Sequence, residues 1–327
     1  MTDKIYRSVI HMGSMMAGYF RYRDVFQIYP GPVNNQSEHG QPVIIEYNER
    51  YRLPPKDGEE ERINIFGEGY GHLDLLQEIT ALLQLITSCL TWVPSDGMSV
   101  RPGPQKRIEA FSTPDSRYPL RFSEARILNR MNAGPEFVSL QSQAVALLDS
   151  YFGMDTDTRE RINASLFLHQ KMRRLILNSA SMGFVGLISS IENLVFFEGE
   201  RQGFVVEKCK NCGQPRYSVT RRFRDFMEIY SEENFVREHN VRGYYHTEEE
   251  FVGEAAQELI KRFYDQRSLI SHAGQILELD RSLSGFSMKE IRLLNEVETL
   301  TRIALFSYIL KFNDPAKGCK SETDDQK

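Results

Sequence analysis

The sequence predicts a mainly α protein in two parts. An α+β N-terminal domain over residues 1–153 is followed by an all-α, up-down helical bundle over 154–315 and a disordered tail at 316–327. Three observations carry this. The strand-like runs lie in the first half, as in Pro42-Val43-Ile44-Ile45-Glu46-Tyr47, which is rich in β-branched residues. Gly153-Met154-Asp155-Thr156-Asp157 interrupts the helical pattern, as turn residues do. From Thr158 onward, apolar side chains recur at helical spacing with short connections between them, the pattern of a helical bundle.

Composition sets the outer bounds. The chain has 327 residues, enough for two domains. With 41% hydrophobic and 26% charged residues it reads as an ordinary globular protein. A net charge of −5 argues against a surface coated with cations for duplex binding; a local basic groove stays compatible with it, because steering follows charge distribution. Four cysteines in a chain of this length make no disulfide framework, so a reducing compartment is expected. No basic region followed by an apolar run opens the chain, so no secretory signal is expected. The most apolar stretch, 73–93, is interrupted by Asp74, Gln77, Glu78 and Gln84 and is not expected to span a membrane. The expected location is cytoplasmic.

Taken in order, residues 5–29 are rich in Tyr, Phe and Met without a clean period, so their structure is left open. Strands are expected at 42–47 and 62–66, then a glycine-rich turn at 67–71 and a helix over 72–92. The turn lacks the spacing of a dinucleotide fingerprint and the Lys-Ser/Thr of a P-loop. Prolines at 94, 102, 104, 114 and 119 mark extended loop with edge strands. A helix over 136–152 closes the first part.

In the second part, Asp157 with Glu160 is expected to cap a helix reaching 180. Further helices are expected over 184–197, 218–230, 247–272 and 287–312. Thr247 with Glu250 and Ser287 with Glu290 form capping boxes for the last two. The helix over 247–272 carries Val252, Ala256, Leu259, Phe263 and Ile270 as its buried stripe, with Arg267 on the flank and Gly274 as its stop. His272 follows Arg267 by five residues, which on an ideal helix turns the two about 140° apart. They can share a site only if the helix bends or ends between them.

Tyr264-Asp265-Gln266-Arg267-Ser268-Leu269-Ile270-Ser271-His272 resembles the Arg-x4-His signature of HEPN domains, closest to the Apea-like group. Ile191-Glu192-Asn193-Leu194 resembles a helix of the same family in which a lone Glu interrupts an apolar run. The resemblance covers roughly the C-terminal half. It implies an HEPN-like bundle that cleaves RNA through the substrate's own 2′-OH, with no cofactor required for catalysis. Transferred here, His272 would move protons and Arg267 would orient the phosphate and stabilise its developing charge. Asp265, Ser268 and Ser271 would support that pair; Ser268 departs from the Asn, Asp or His common after the Arg in catalytic members. The family also implies a homodimer, a toxin or antiviral defence effector, and an N-terminal domain that senses, restrains or positions, with room for a regulatory partner protein. The competing expectation is a non-catalytic HEPN module binding nucleotide, RNA or protein.

Two further features stand on residues alone. Arg216, Arg221, Arg222 and Arg224 make 208–224 locally basic, with Tyr217 and Phe223 available for stacking, and Lys171, Arg173 and Arg174 add a second cluster. Either is a solvated helix face or an RNA-backbone groove. Cys209 and Cys212 form a C-x2-C-G knuckle, half of a structural zinc site. The other reading is a turn with two partly buried thiols, since Cys89 and Cys319 are isolated.

Overall fold

A computed structural model describes residues 4–32, 41–54, 72–94, 106–113, 118–123, 137–139, 143–203, 219–231, 254–281 and 287–312. The strand expected at 62–66, the turn at 67–71, Cys209, Cys212, Arg216, Tyr217, the Thr247–Glu250 box and the tail lie outside them.

The stretch left open by its sequence is antiparallel sheet. Its strands are β1 (Ile5–Met12), β2 (Met16–Ala17), β3 (Phe20–Tyr22) and β4 (Phe26–Pro30), followed by the expected β5 (Gln41–Asn48). The main sheet runs β3-β4-β5-β1-β6, where β6 is Thr91–Trp92, and β7 (Lys106–Ile108) also pairs with β1. Strands β8 (Arg121–Ser123) and β9 (Phe137–Ser139) form a second small sheet with β2. Period-2 geometry sends Ile10, Val43, Ile45, Tyr47, Phe26 and Ile28 to one face, all fully buried.

The other face carries a polar row, Arg7–Glu46–Gln27, in register across three strands. Glu46 accepts from Arg7 Nε at 2.8 Å, Gln27 Nε2 at 2.7 Å, the Tyr29 hydroxyl at 2.8 Å and the Ser112 N–H at 2.8 Å. Burial pushes this carboxyl up, but the bonds from Ser112, Tyr29 and Arg7 outweigh it and hold the pKa below the usual range.

The helices follow their predicted periods with corrected ends. Helix α1 (Leu73–Thr87) stops a turn early because Ser88 adopts a left-handed φ of 57° and β6 follows. Helix α2 (Gln143–Phe152) begins later than expected, residues 137–139 being strand. Helix α3 (Thr156–Leu175) is capped by Asp155, whose carboxylate accepts from Thr158 N at 3.0 Å, rather than by Asp157. Helix α4 (Ala180–Arg201) packs against α3 at close range. A Cβ at Gly183 would lie 2.4 Å from Ile176 Cγ1, and one at Gly186 would lie 2.2 Å from Met172 Cγ. By length and composition α4 could cross a membrane, but 67% of its most apolar window is buried inside the protein.

Helices α5 (Val219–Tyr230), α6 (Glu254–Ala273), the short α7 (Glu278–Arg281) and α8 (Met288–Lys311) complete the described chain. The Ser287 hydroxyl caps α8 at 3.3 Å from Glu290 N, as its box predicts. Glu290 does not reach back to complete the box; its carboxylate accepts from Glu278 N and Leu279 N, opening α7. The described part is therefore α+β at its N-terminal end and helical beyond it, with one apolar core running through both. Ser150 Oγ donates to the Ile309 carbonyl at 2.6 Å, and Arg159 Nε reaches Glu78 at 2.9 Å, so bonds cross Gly153 in both directions.

Between α3, α8 and the end of α1 lies a buried charged cluster. Arg173 Nε meets Glu298 Oε1 at 2.7 Å, and Arg173 Nη2 donates to the Ser88 carbonyl at 2.9 Å. Arg302 Nη1 faces the Leu85 carbonyl at 3.5 Å. The two cations thus meet the negative end of α1. Arg173 is 1% exposed, so the expected basic surface cluster of Lys171, Arg173 and Arg174 does not form as such; Arg174 lies over the Trp92 ring instead.

His169 is buried beside this cluster, and burial, then Arg173 and Arg302, push its pKa well below the usual imidazole value. The unfolded chain takes up this proton near pH 6.5 and the folded one resists it. Stability from this group is therefore complete above about pH 6.5 and is lost as pH falls below it, by at most about 1.4 kcal/mol per pH unit. Urea unfolding at pH 7 and pH 5.5 should show this slope, and His169→Gln should flatten it. An unchanged slope in the variant would contradict the assignment.

Candidate active site

The site is built on α4 and α6. Helix α6 buries Leu259, Phe263 and Ile270, the stripe its sequence predicts, together with Ile260. That burial turns Tyr264 and Arg267 toward α4, where Glu192 sits among Leu187, Ile188, Ile191 and Leu194 and is only 6% exposed. A carboxylate in that setting requires partners. It has three: the Tyr264 hydroxyl donates to Oε1 at 3.1 Å, Arg267 Nη2 donates to Oε2 at 3.1 Å, and Ser189 Oγ donates to Oε2 at 3.3 Å. Burial, reinforced by the Glu192 charge and hydrogen bond, raises the Tyr264 pKa, so the phenol remains a donor.

Arg267 Nη1 lies 3.5 Å from His272 Nε2. A guanidinium can only donate, so in any hydrogen bond across this contact the ring nitrogen is the acceptor. The guanidinium carbon also lies 5.7 Å from the Tyr264 ring centre, while Arg267 Nε is buried without a hydrogen-bond partner. The helix does not end between Arg267 and His272; α6 is continuous to Ala273. The length of the Arg side chain closes the angular gap. The helix stops at Gly274, φ 64°, and Gln275 N then donates back to the Leu269 carbonyl at 3.2 Å. His272 is exposed at this end.

The other expected site residues divide. Asp265 and Ser271 are exposed and Ser268 is half-buried; no hydrogen bond joins any of the three to Arg267 or His272. Arg221, Arg222 and Arg224 lie on α5, which packs against α6. Arg221 pairs with Asp225 at 3.7 Å, and Arg224 with Asp225 at 3.9 Å and Glu228 at 3.8 Å. Phe223 is 1% exposed and packs on Tyr264 with ring centres 5.4 Å apart, so it is core rather than a stacking surface.

Sequence reasoning singled out Glu192 as unusual without placing it in the site. The usable signal was a lone carboxylate in an apolar helix, which must find a cation. Among the described residues no group of three or more His, Cys, Asp or Glu side chains is placed to hold a metal. No protein family, curated protein or solved structure matches the chain.

Proposed function

We propose that the chain is an endoribonuclease of the HEPN type, its helical part an Apea-like bundle, cleaving RNA without a metal ion. The observation that carries this reading is the meeting of Arg267 and His272 at 3.5 Å, with Arg267 anchored by buried Glu192. His272, exposed at the helix end, takes the proton from the substrate 2′-OH. Arg267, oriented by Glu192 and Tyr264, holds the phosphate and stabilises the charge that develops on it. One His moves one proton, whereas the leaving 5′-oxygen needs another. A second copy related by a two-fold axis supplies it. Leu269 and Ile276 flank the site and are 41% and 44% exposed, which supports pairing there. The protein then acts as a cytoplasmic homodimer, a toxic effector whose expression harms the host.

The purified protein is expected to cleave single-stranded RNA in a strong chelator, leaving 2′,3′-cyclic phosphate and 5′-hydroxyl ends. End-group analysis decides the matter: 5′-phosphate products, or activity lost with magnesium, would contradict the mechanism. The competing reading is a non-catalytic module that binds nucleotide, RNA or protein, in which the Arg267–Glu192 pair is a structural ion pair only. That reading expects RNA to remain intact and toxicity to survive loss of His272.

A further inference from the structure

Helices α5 and α6 flank a cleft of about 230 Å³ beside Tyr264. Its floor is the half-buried Tyr264 ring, backed by the buried Phe223 and Ile260, and its rim carries Arg221, Arg224 and Lys261. Three cations around an aromatic and aliphatic floor suit a planar base attached to a phosphate. The phosphate meets the rim and the base lies on the floor. The volume falls below the roughly 300–1,000 Å³ of pockets that take drug-sized ligands, which suits a single base rather than a stacked pair. A base still paired in a duplex cannot enter it.

The rim cations are available for this exchange. Side-chain exposure is 77% for Arg221, 44% for Arg224 and 59% for Lys261, and their acidic partners, Asp225, Glu228 and Glu258, stand at 3.7–3.9 Å on the same helices. Such exposed pairs are worth little, and a phosphate with more acceptor oxygens displaces them.

Tyr264 connects the cleft to the candidate catalytic pair. Its ring is part of the cleft wall, and its hydroxyl shares the Glu192 carboxylate with Arg267. We infer that the α5–α6 cleft is a subsite for one unpaired nucleotide of a single-stranded RNA, next to the bond held by Arg267 and His272. This rests on the ribonuclease reading and adds what that reading leaves open: a place for a flanking base, and hence a preference for single strands.

The test measures binding apart from cleavage. Fluorescence anisotropy follows a labelled eight-nucleotide oligoadenylate, and the same strand annealed to its complement, on the His272→Ala protein. Adding Arg224→Glu with Lys261→Glu should weaken single-strand binding at least tenfold, whereas Arg161→Glu, on an exposed part of α3, should change it less than twofold. The duplex should bind at least tenfold more weakly than the single strand. Equal losses from Arg161→Glu and from the cleft pair would reduce the effect to general charge and overturn the subsite. So would equal binding of the duplex, or competition by a polyglutamate peptide as strong as by unlabelled oligonucleotide. A wild-type protein that binds in this pattern but leaves RNA uncut would sink the ribonuclease reading and keep the subsite. One that cuts RNA while the cleft variants bind normally would do the reverse.

Discussion

Alanine at His272 is expected to lower RNA cleavage by about 10²–10⁴-fold, the usual contribution of a positioned proton-transfer group. The protein should unfold at an unchanged temperature. His272 is exposed at the end of α6 and its described contact is the 3.5 Å approach of Arg267, so its loss opens no cavity and strands no buried charge. That separates a chemical role from a structural one: a fall in rate accompanied by an equal loss of folded protein would count against catalysis. Measuring rate and mass together over a dilution series adds the second copy to the test. Under the paired site, activity per chain declines as dimers dissociate. A monomer that cleaves at full rate would rule the pairing out.

Alanine at Glu298 is expected to have the largest effect on stability, a loss of about 3–5 kcal/mol. The side chain is the carboxylate partner of Arg173, which is 1% exposed, and lies near Arg302, which is 2% exposed. Burial and the neighbouring Arg173 charge both act to lower the Arg302 pKa, while Glu298 acts to raise it. Removing Glu298 takes away the carboxylate that balances two guanidinium groups in the core, which face the Ser88 and Leu85 carbonyls. Urea unfolding of Glu298→Ala beside Arg173→Met/Glu298→Met measures this. The double variant, which removes charge of both signs, should recover part of the loss. If the single variant costs less than about 1 kcal/mol, against the several expected for a stranded buried charge, the cluster is not the buried ion pair described.

The sequence was most informative where one physical signal acted alone. Helical periodicity located α3 to α6 and α8, and Ser287 did cap α8. It was least informative where two environments overlapped. The second face of the sheet carries Arg7 and the buried Glu46 and Gln27 among apolar neighbours, so strands near the N-terminus show no plain alternation. The end of α1 depended on a left-handed φ at Ser88, a conformation that favours Gly or Asn. Charged residues on helices were harder still. Arg173 points inward while Lys171 and Arg174 are exposed, and no local pattern tells the inward charge from its neighbours. The candidate site was half legible: Arg267 and His272 come from one short motif, but Glu192 joins them from 75 positions away. Only a packed structure brings that pair together.

The apolar core that passes Gly153 without a break has a consequence for how such a chain can change over time. Helix α2 lies against α8, α1 lies against α3, and Tyr151, Glu78, Asn163 and Arg159 join the two sides through buried hydrogen bonds. A recombination event that grafted residues 154–312 onto a foreign leader would expose apolar faces and strand Arg159 and Arg173 from the carbonyls of Tyr51 and Ser88. The sheet and the helices are therefore bound to be inherited as one unit, and variation must accumulate by coordinated small substitutions on both sides of that seam.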